Sequence, residues 1–65
     1  MTRLEFERRK AGLSLERLGE LLLYSRSTLS RVERRQLVSV EISPRLKRAL
    51  EQHFNRSLEE LLEEL

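Results

Sequence analysis

The segment 15–33, LERLGELLLYSRSTLSRVE, constrains the fold more than any other part of this chain. It has the pattern of two short helices joined by a tight turn, and Ser25 is suited to cap the start of the second helix. At about 100° per residue, Leu29 and Val32 of that second helix lie about 60° apart and can both point inward. The opposite face carries only arginine and hydroxyl side chains, namely Arg26, Ser27, Ser30, Arg31 and Arg34.

A helix with such a face is suited to the major groove of double-stranded DNA. Arginine forks can pair with guanine edges and phosphates, and small hydroxyls allow close approach. The charge distribution agrees, since residues 1–35 hold nine Lys/Arg against five Glu (net +4) and residues 36–65 hold four against six (net −2). A basic first half fits a module with one face toward an anionic polymer, and the alternative is a solvated surface with arbitrary charge placement.

Composition excludes several other classes of protein. The 65 residues suffice for one domain, 1–65, and the absence of cysteine with a single histidine argues against a disulfide framework or a metal centre. We expect no enzyme, cofactor or small-molecule ligand, because no nucleophile–base pair or phosphate-binding glycine loop occurs. No apolar run approaches the roughly 20 residues that span a bilayer, and the first ten residues lack a signal-peptide pattern. We therefore expect a cytoplasmic, nucleoid-associated protein with no membrane contact.

Capping signals predict five helices. Gly12 is suited to a left-handed C-cap at the end of the first helix. Serines are suited to start the other four, and Pro44 supports the fourth as its first helical residue. The predicted later helices run from Ser14 to about Leu22, Ser25 to about Arg34, Ser43 to about Phe54, and Ser57 to Leu65. The apolar, β-branched segment 36–42 is predicted to be a loop packed on the core, or alternatively an extended segment that pairs with a second chain.

Residues along most of the chain match a known sequence pattern in a single alignment. Residues Leu18, Ser25, Leu29, Ser30 and Glu33 fall on the L, S, I, S and E of Q-x-x-L-A-x-x-x-G-V-S-x-x-x-I-S-x-x-E. The segment 8–14 matches a lead-in R-x-x-x-G-L-S, and 54–62 resembles the final turn and helix. The chain thus resembles, over essentially its whole length, the Xre-like family of the phage lambda and 434 repressors and Cro proteins. The resemblance implies an all-α, five-helix lambda-repressor-like domain, with its helix-turn-helix at about 14–34.

The resemblance also implies roles for particular residues. A partly buried ion pair is expected between Arg8 and Glu33, which joins the first and third helices. The remaining predicted roles fall into three sets. The residues expected to contact DNA bases are Arg26, Ser27, Ser30 and Arg31. The residues expected to contact DNA phosphates are Ser14, Leu15, Ser25, Thr28, Arg34, Arg35 and Gln36. The residues expected to form a homodimer interface are Leu58, Leu61, Leu62 and Leu65.

Three residues depart from the family pattern. Leu15 stands where glutamine usually braces the second helix on a phosphate, so that contact is lost or is made by a backbone amide. Leu23 stands where glycine is preferred for a left-handed turn, at a cost of about 1 kcal/mol. Gly19 stands where alanine is usual, which allows close approach of the two helices but weakens the helix interior. The loop before the fourth helix is also longer than is usual in the family, which displaces any phosphate contact made from that loop.

The expected function is that of a repressor-like transcriptional regulator, a dimer that binds a palindromic operator with the third helix in the major groove. One alternative keeps the fold but makes the domain an antitoxin-like or adaptor-like module that binds a protein partner. Another is that the chain is the DNA-binding fragment of a larger regulator. The loss of glutamine at Leu15 favours the protein-binding alternative, whereas the four arginines of 26–35 favour DNA.

Overall fold

The computed structural model describes residues 1–37 and 41–65, and the regular structure in those ranges is helical. Part of the predicted 36–42 loop, residues 38–40, lies outside the described residues. The described chain confirms the predicted all-α, five-helix fold. Its helices are α1 (Arg3–Lys10), α2 (Leu15–Leu22), α3 (Arg26–Glu33), α4 (Pro44–Phe54) and α5 (Leu58–Leu61).

A hydroxyl side chain caps the start of every one of these helices. In each case the oxygen accepts a hydrogen bond from the backbone amide three residues later, at 3.0–3.3 Å, which satisfies one of the free donors of the first turn. The four serine caps were predicted from the sequence. The capping residues are Thr2, Ser14, Ser25, Ser43 and Ser57.

The core is built from aliphatic side chains of all five helices and of the residue before Ser43. Leu29 and Val32 bury the inner face of α3, as its periodicity predicted, and Leu18 of α2 packs into the same cluster. Because α3 is held by this one face, its other face is turned to solvent. The buried members of the core are Leu4, Leu18, Leu29, Val32, Ile42, Leu46, Leu50, Leu58 and Leu61.

The last helix is shorter than the sequence predicted. It ends at Leu61, and the prediction that it continues to Leu65 is wrong. The chain instead pairs with its own beginning: the Leu65 amide donates to the Met1 carbonyl at 2.8 Å, and the Arg3 amide donates to the Glu63 carbonyl at 2.9 Å. These long-range hydrogen bonds replace those that a longer helix would form.

This ending changes the predicted dimer interface. Leu58 and Leu61 are 4% and 0% exposed, so both belong to the core of the monomer and their assignment to an interface needs correction. Leu62 is half-buried against the core, and Leu65 is exposed. Only Leu62 and Leu65 of the predicted stripe therefore remain accessible to a second chain.

The turn between α2 and α3 is left-handed at a residue with a side chain. Leu23 has φ 63° and ψ 42°, and the Tyr24 amide closes the turn on the Gly19 carbonyl at 2.9 Å. The Leu23 side chain is 75% exposed, so it gains little packing in return for this backbone conformation. The turn has the left-handed geometry that glycine supplies without strain.

The variant Leu23→Gly is therefore expected to raise the free energy of unfolding by up to about 1 kcal/mol, part of the relief being offset by the greater freedom of glycine in the unfolded chain. Thermal melting followed by circular dichroism measures the change. Gly12→Ala is a control with the opposite expected sign, and it should lower the free energy of unfolding. Gly12 is also left-handed (φ 74°), and a Cβ there would meet no atom within 4 Å, so the change would come from the backbone conformation alone. A lower melting temperature for Leu23→Gly would contradict the assignment of strain to this turn.

Candidate nucleic-acid interface

The outward face of α3 and the start of α2 form one open cleft of about 600 Å³. All four side chains predicted to contact bases line it, and they come from successive turns of α3. Arg26, Ser27 and Arg31 are exposed, and Ser30 is half-buried. The remaining residues that line the cleft are Arg8, Ser14, Leu15, Glu16 and Arg34.

The serine and threonine hydroxyls predicted to contact phosphate are engaged at helix starts. The Ser25 hydroxyl accepts from the Thr28 amide at 3.2 Å and shares a hydrogen bond with the Thr28 hydroxyl at 2.8 Å. The Ser14 hydroxyl accepts from the Arg17 amide at 3.0 Å. These bonds fix the first turns of α2 and α3, whose earliest amides have no acceptor within their own helix.

Leu15 differs in character from the other predicted phosphate contacts. It is half-buried and packs against the core while it also borders the cleft. Its side chain has no polar atom, so any phosphate contact at this position falls to the backbone amide at the start of α2. The side-chain brace that glutamine would supply is absent from Leu15.

The end of α3 presents three polar side chains from a second left-handed turn. The Arg35 amide donates to the Val32 carbonyl at 3.0 Å, and the Gln36 amide donates to the Arg31 carbonyl at 2.8 Å. This is the double hydrogen bond of a Schellman motif, with Arg35 (φ 58°) in the position that usually holds glycine. Arg34, Arg35 and Gln36 are all exposed, but only Arg34 borders the cleft.

Arg8 and Glu33 form a buried, two-pronged ion pair between α1 and α3. Arg8 Nε donates to Glu33 Oε2 at 2.7 Å, and Nη2 donates to Oε1 at 3.0 Å. The remaining Nη1 donates to the Leu13 carbonyl at 2.7 Å, so one guanidinium joins α1, α3 and the turn before α2. The hydrogen bond to Glu33 raises the pKa of Arg8 above its ordinary value against the opposing effect of burial.

Sequence reasoning missed a further contact to the same glutamate. The Thr2 hydroxyl donates to the Glu33 backbone carbonyl at 2.8 Å, and Thr2 is 2% exposed. That carbonyl belongs to the last turn of α3, where no amide of the helix is available to it. Thr2 thus caps the start of α1 and satisfies the end of α3.

The cations of the molecule divide into paired and unpaired groups. Arg3, Arg9, Arg17 and Arg56 each lie within 4.0 Å of a glutamate carboxylate, mostly one helical turn away. In residues 1–37 and 41–65, by contrast, none of the four arginines of 26–35 forms an ion pair. The outward face of α3, here named the α3 face, consists of Arg26, Ser27, Ser30, Arg31 and Arg34. Its positive charge is therefore available to bind an external anion.

Membrane-spanning helices and metal-binding clusters are both absent from the part of the chain that the structure describes. No helix there is long and apolar enough to cross a membrane. No group of three or more histidine, cysteine or acidic residues there could hold a metal ion.

Comparison with known proteins yields one match. A family model described as a helix-turn-helix domain matches residues 2–65. No curated protein and no solved structure matches the chain. The family match covers all five helices and the whole of the cleft.

Proposed function

The chain belongs to the helix-turn-helix domain family, and on this basis we propose that it is a sequence-specific regulator of transcription that binds double-stranded DNA in the cytoplasm. The observation that carries the proposal is the α3 face. Its arginine and serine side chains line one open cleft, and its arginines form no ion pair within the described residues. An unpaired cationic face on a short, firmly anchored helix fits the width and the charge of the major groove.

In the proposed complex α3 lies in the major groove. Arg26 and Arg31 would each donate two parallel hydrogen bonds to guanine O6 and N7, while Ser27 and Ser30 allow the helix to approach the bases closely. Arg34, Arg35 and Gln36 would meet the phosphate backbone, which fixes orientation without reading sequence. Occupation of an operator would then repress transcription sterically.

We further propose that the protein acts as a homodimer on a palindromic operator. Leu62 and Leu65 are the members of the predicted stripe that are still accessible, so the two-fold contact would be small. A dimer of this kind reads two half-sites about 34–36 Å apart, one turn of the double helix. A contact of that size favours dimers that form on DNA.

Leu15 supports a second candidate function, in which the cleft binds a protein. Its apolar side chain borders the cleft where a phosphate-binding glutamine is usual in the resembled family. A protein partner would gain apolar contact from Leu15, whereas a phosphate would not. Salt separates the two functions, because the release of counterions makes DNA affinity fall steeply as salt rises.

The proposal predicts that random duplex DNA enriched on the protein at about 0.05 and 0.15 M salt yields a palindromic motif that contains guanine. The variant Arg26→Ala/Arg31→Ala is expected to lose that motif, since it lacks both pairs of guanine donors. The variant Arg9→Ala/Lys47→Ala removes the same charge from other faces and should retain the motif. Sequence-independent binding that disappears at the higher salt would contradict the proposal and favour a protein partner. A single half-site would contradict the dimer.

A further inference from the structure

A second cationic surface lies on α4. Residues 45, 48 and 52 recur at the three- and four-residue spacing of one helix face, and Leu46 and Leu50 are buried on the other side. The side chains of Arg45, Arg48 and Gln52, here named the α4 face, are exposed. They line a shallow groove of about 380 Å³ together with Pro44 and Ala49.

The two arginines of the α4 face differ in their ion pairing from other arginines of the described chain. Within the described ranges 1–37 and 41–65, neither Arg45 nor Arg48 forms an ion pair, although Arg17 and Arg56 do so with glutamates one turn away. Like charges one helical turn apart are mildly destabilising. An anion bound across both arginines would offset this repulsion.

Contacts with Tyr24 place this surface next to the start of α3. The guanidinium carbon of Arg45 lies 5.4 Å from the centre of the Tyr24 ring, within the range of a cation–π contact. The Tyr24 and Ser43 hydroxyl oxygens lie 3.3 Å apart. Tyr24 directly precedes Ser25, the N-cap of α3. The unpaired cations of α4 therefore begin next to the N-terminal end of α3.

We infer that the α4 face binds phosphates of the same duplex that α3 enters, beyond the N-terminal end of α3; this inference rests on the proposed function. A duplex fits better than an acidic protein because its backbone carries one charge per about 3.4 Å of each strand and can meet both cationic surfaces at once. Arg45, Arg48 and the amide of Gln52 supply donors for phosphate oxygens. Such contacts add affinity and orientation but no base preference.

The test measures the binding of a 24-base-pair duplex of random sequence by fluorescence anisotropy between 0.05 and 0.2 M salt. Loss of two phosphate contacts in Arg45→Ala/Arg48→Ala should reduce the slope of log affinity against log salt by about 1.8. The loss of affinity relative to wild type should then be about 12-fold larger at the low salt than at the high salt. Arg9→Ala/Lys10→Ala removes the same net charge from two exposed residues at the end of α1 and should change the slope much less.

Two further variants make the outcome decisive. Arg45→Lys/Arg48→Lys keeps the charge and should restore the slope, and melting curves should show that all variants fold, since the substituted side chains are exposed. A slope for Arg45→Ala/Arg48→Ala equal to that of the control would overturn the inference, and an acidic protein would then be the better candidate to bind the α4 face.

Arg34→Ala, at the cleft, should lower the slope by about 1. If wild type binds no duplex, the proposed function itself fails; if wild type and Arg34→Ala behave as expected, only the inference about α4 is at stake.

Discussion

Replacement of Glu33 by glutamine is expected to lower the free energy of unfolding by about 3–5 kcal/mol, because the Arg8 guanidinium would remain buried without a counter-charge. The side chains of Arg8 and Glu33 are only 10% and 5% exposed, so water cannot take the place of the lost carboxylate. A domain of this size has about 5 kcal/mol of stability or little more. Urea denaturation followed by circular dichroism should therefore find that Glu33→Gln retains at most about 2 kcal/mol of stability and unfolds at very low urea concentration.

A surface pair and a double variant serve as controls. Glu20→Gln breaks the exposed Arg17–Glu20 pair and should cost less than about 1 kcal/mol. Arg8→Met/Glu33→Gln removes the buried charge as well and should recover part of the stability that Glu33→Gln loses. If Glu33→Gln cost no more than Glu20→Gln, the pair would make no special contribution to holding α1 and α3 together.

The variant Gly19→Ala is expected to destabilise the protein by about 2–3 kcal/mol, the upper part of the range for overpacked sites. An ideal Cβ at Gly19 would lie 2.5 Å from the Tyr24 carbonyl oxygen, a backbone atom of the turn between α2 and α3. That turn cannot yield without displacement of α3. The result would run against intrinsic propensity, which favours alanine over glycine in a helix by about 1 kcal/mol.

Chemical denaturation of Gly19→Ala beside Arg17→Ala checks this expectation. Arg17 is exposed on the same helix, so its replacement reports the effect of alanine where nothing obstructs the side chain, together with the loss of the exposed Arg17–Glu20 pair, which is worth less than about 1 kcal/mol. Equal or greater stability of Gly19→Ala would mean that the α2–α3 turn can relax to accept a methyl group. The pattern of the resembled family has alanine at this place together with glycine in the turn, whereas this chain has Gly19 together with Leu23.

Local features of the fold could be predicted from the sequence, and long-range ones could not. The serine caps were predictable because a hydroxyl and an amide three residues apart meet whatever surrounds them. The end of α5 was not, because it depends on hydrogen bonds between residues 1–3 and 63–65, at opposite ends of the chain. Thr2 and Glu5 do form a capping-box signal, but nothing local indicates that the Thr2 hydroxyl also reaches Glu33, 31 residues away.

The candidate site shows the same division. The α3 face could be derived from the spacing of Leu29 and Val32 alone, since the buried side of a helix defines its exposed side. The α4 face was missed because the second half of the chain is acidic on average, and that average conceals Arg45 and Arg48. Only the contact of Arg45 with Tyr24, and the lack of an ion pair at either arginine within the described residues, distinguish them.

Glu33 is bound to α1 twice, through its carboxylate by Arg8 and through its backbone carbonyl by Thr2. The last turn of α3 therefore cannot fray unless the core opens with it. Little conformational freedom remains in this helix for a ligand to remove. The entropy that many proteins lose when a ligand orders their binding site is here already lost when the protein folds. We expect the speed of association to depend on encounter and charge rather than on a slow rearrangement of the helix.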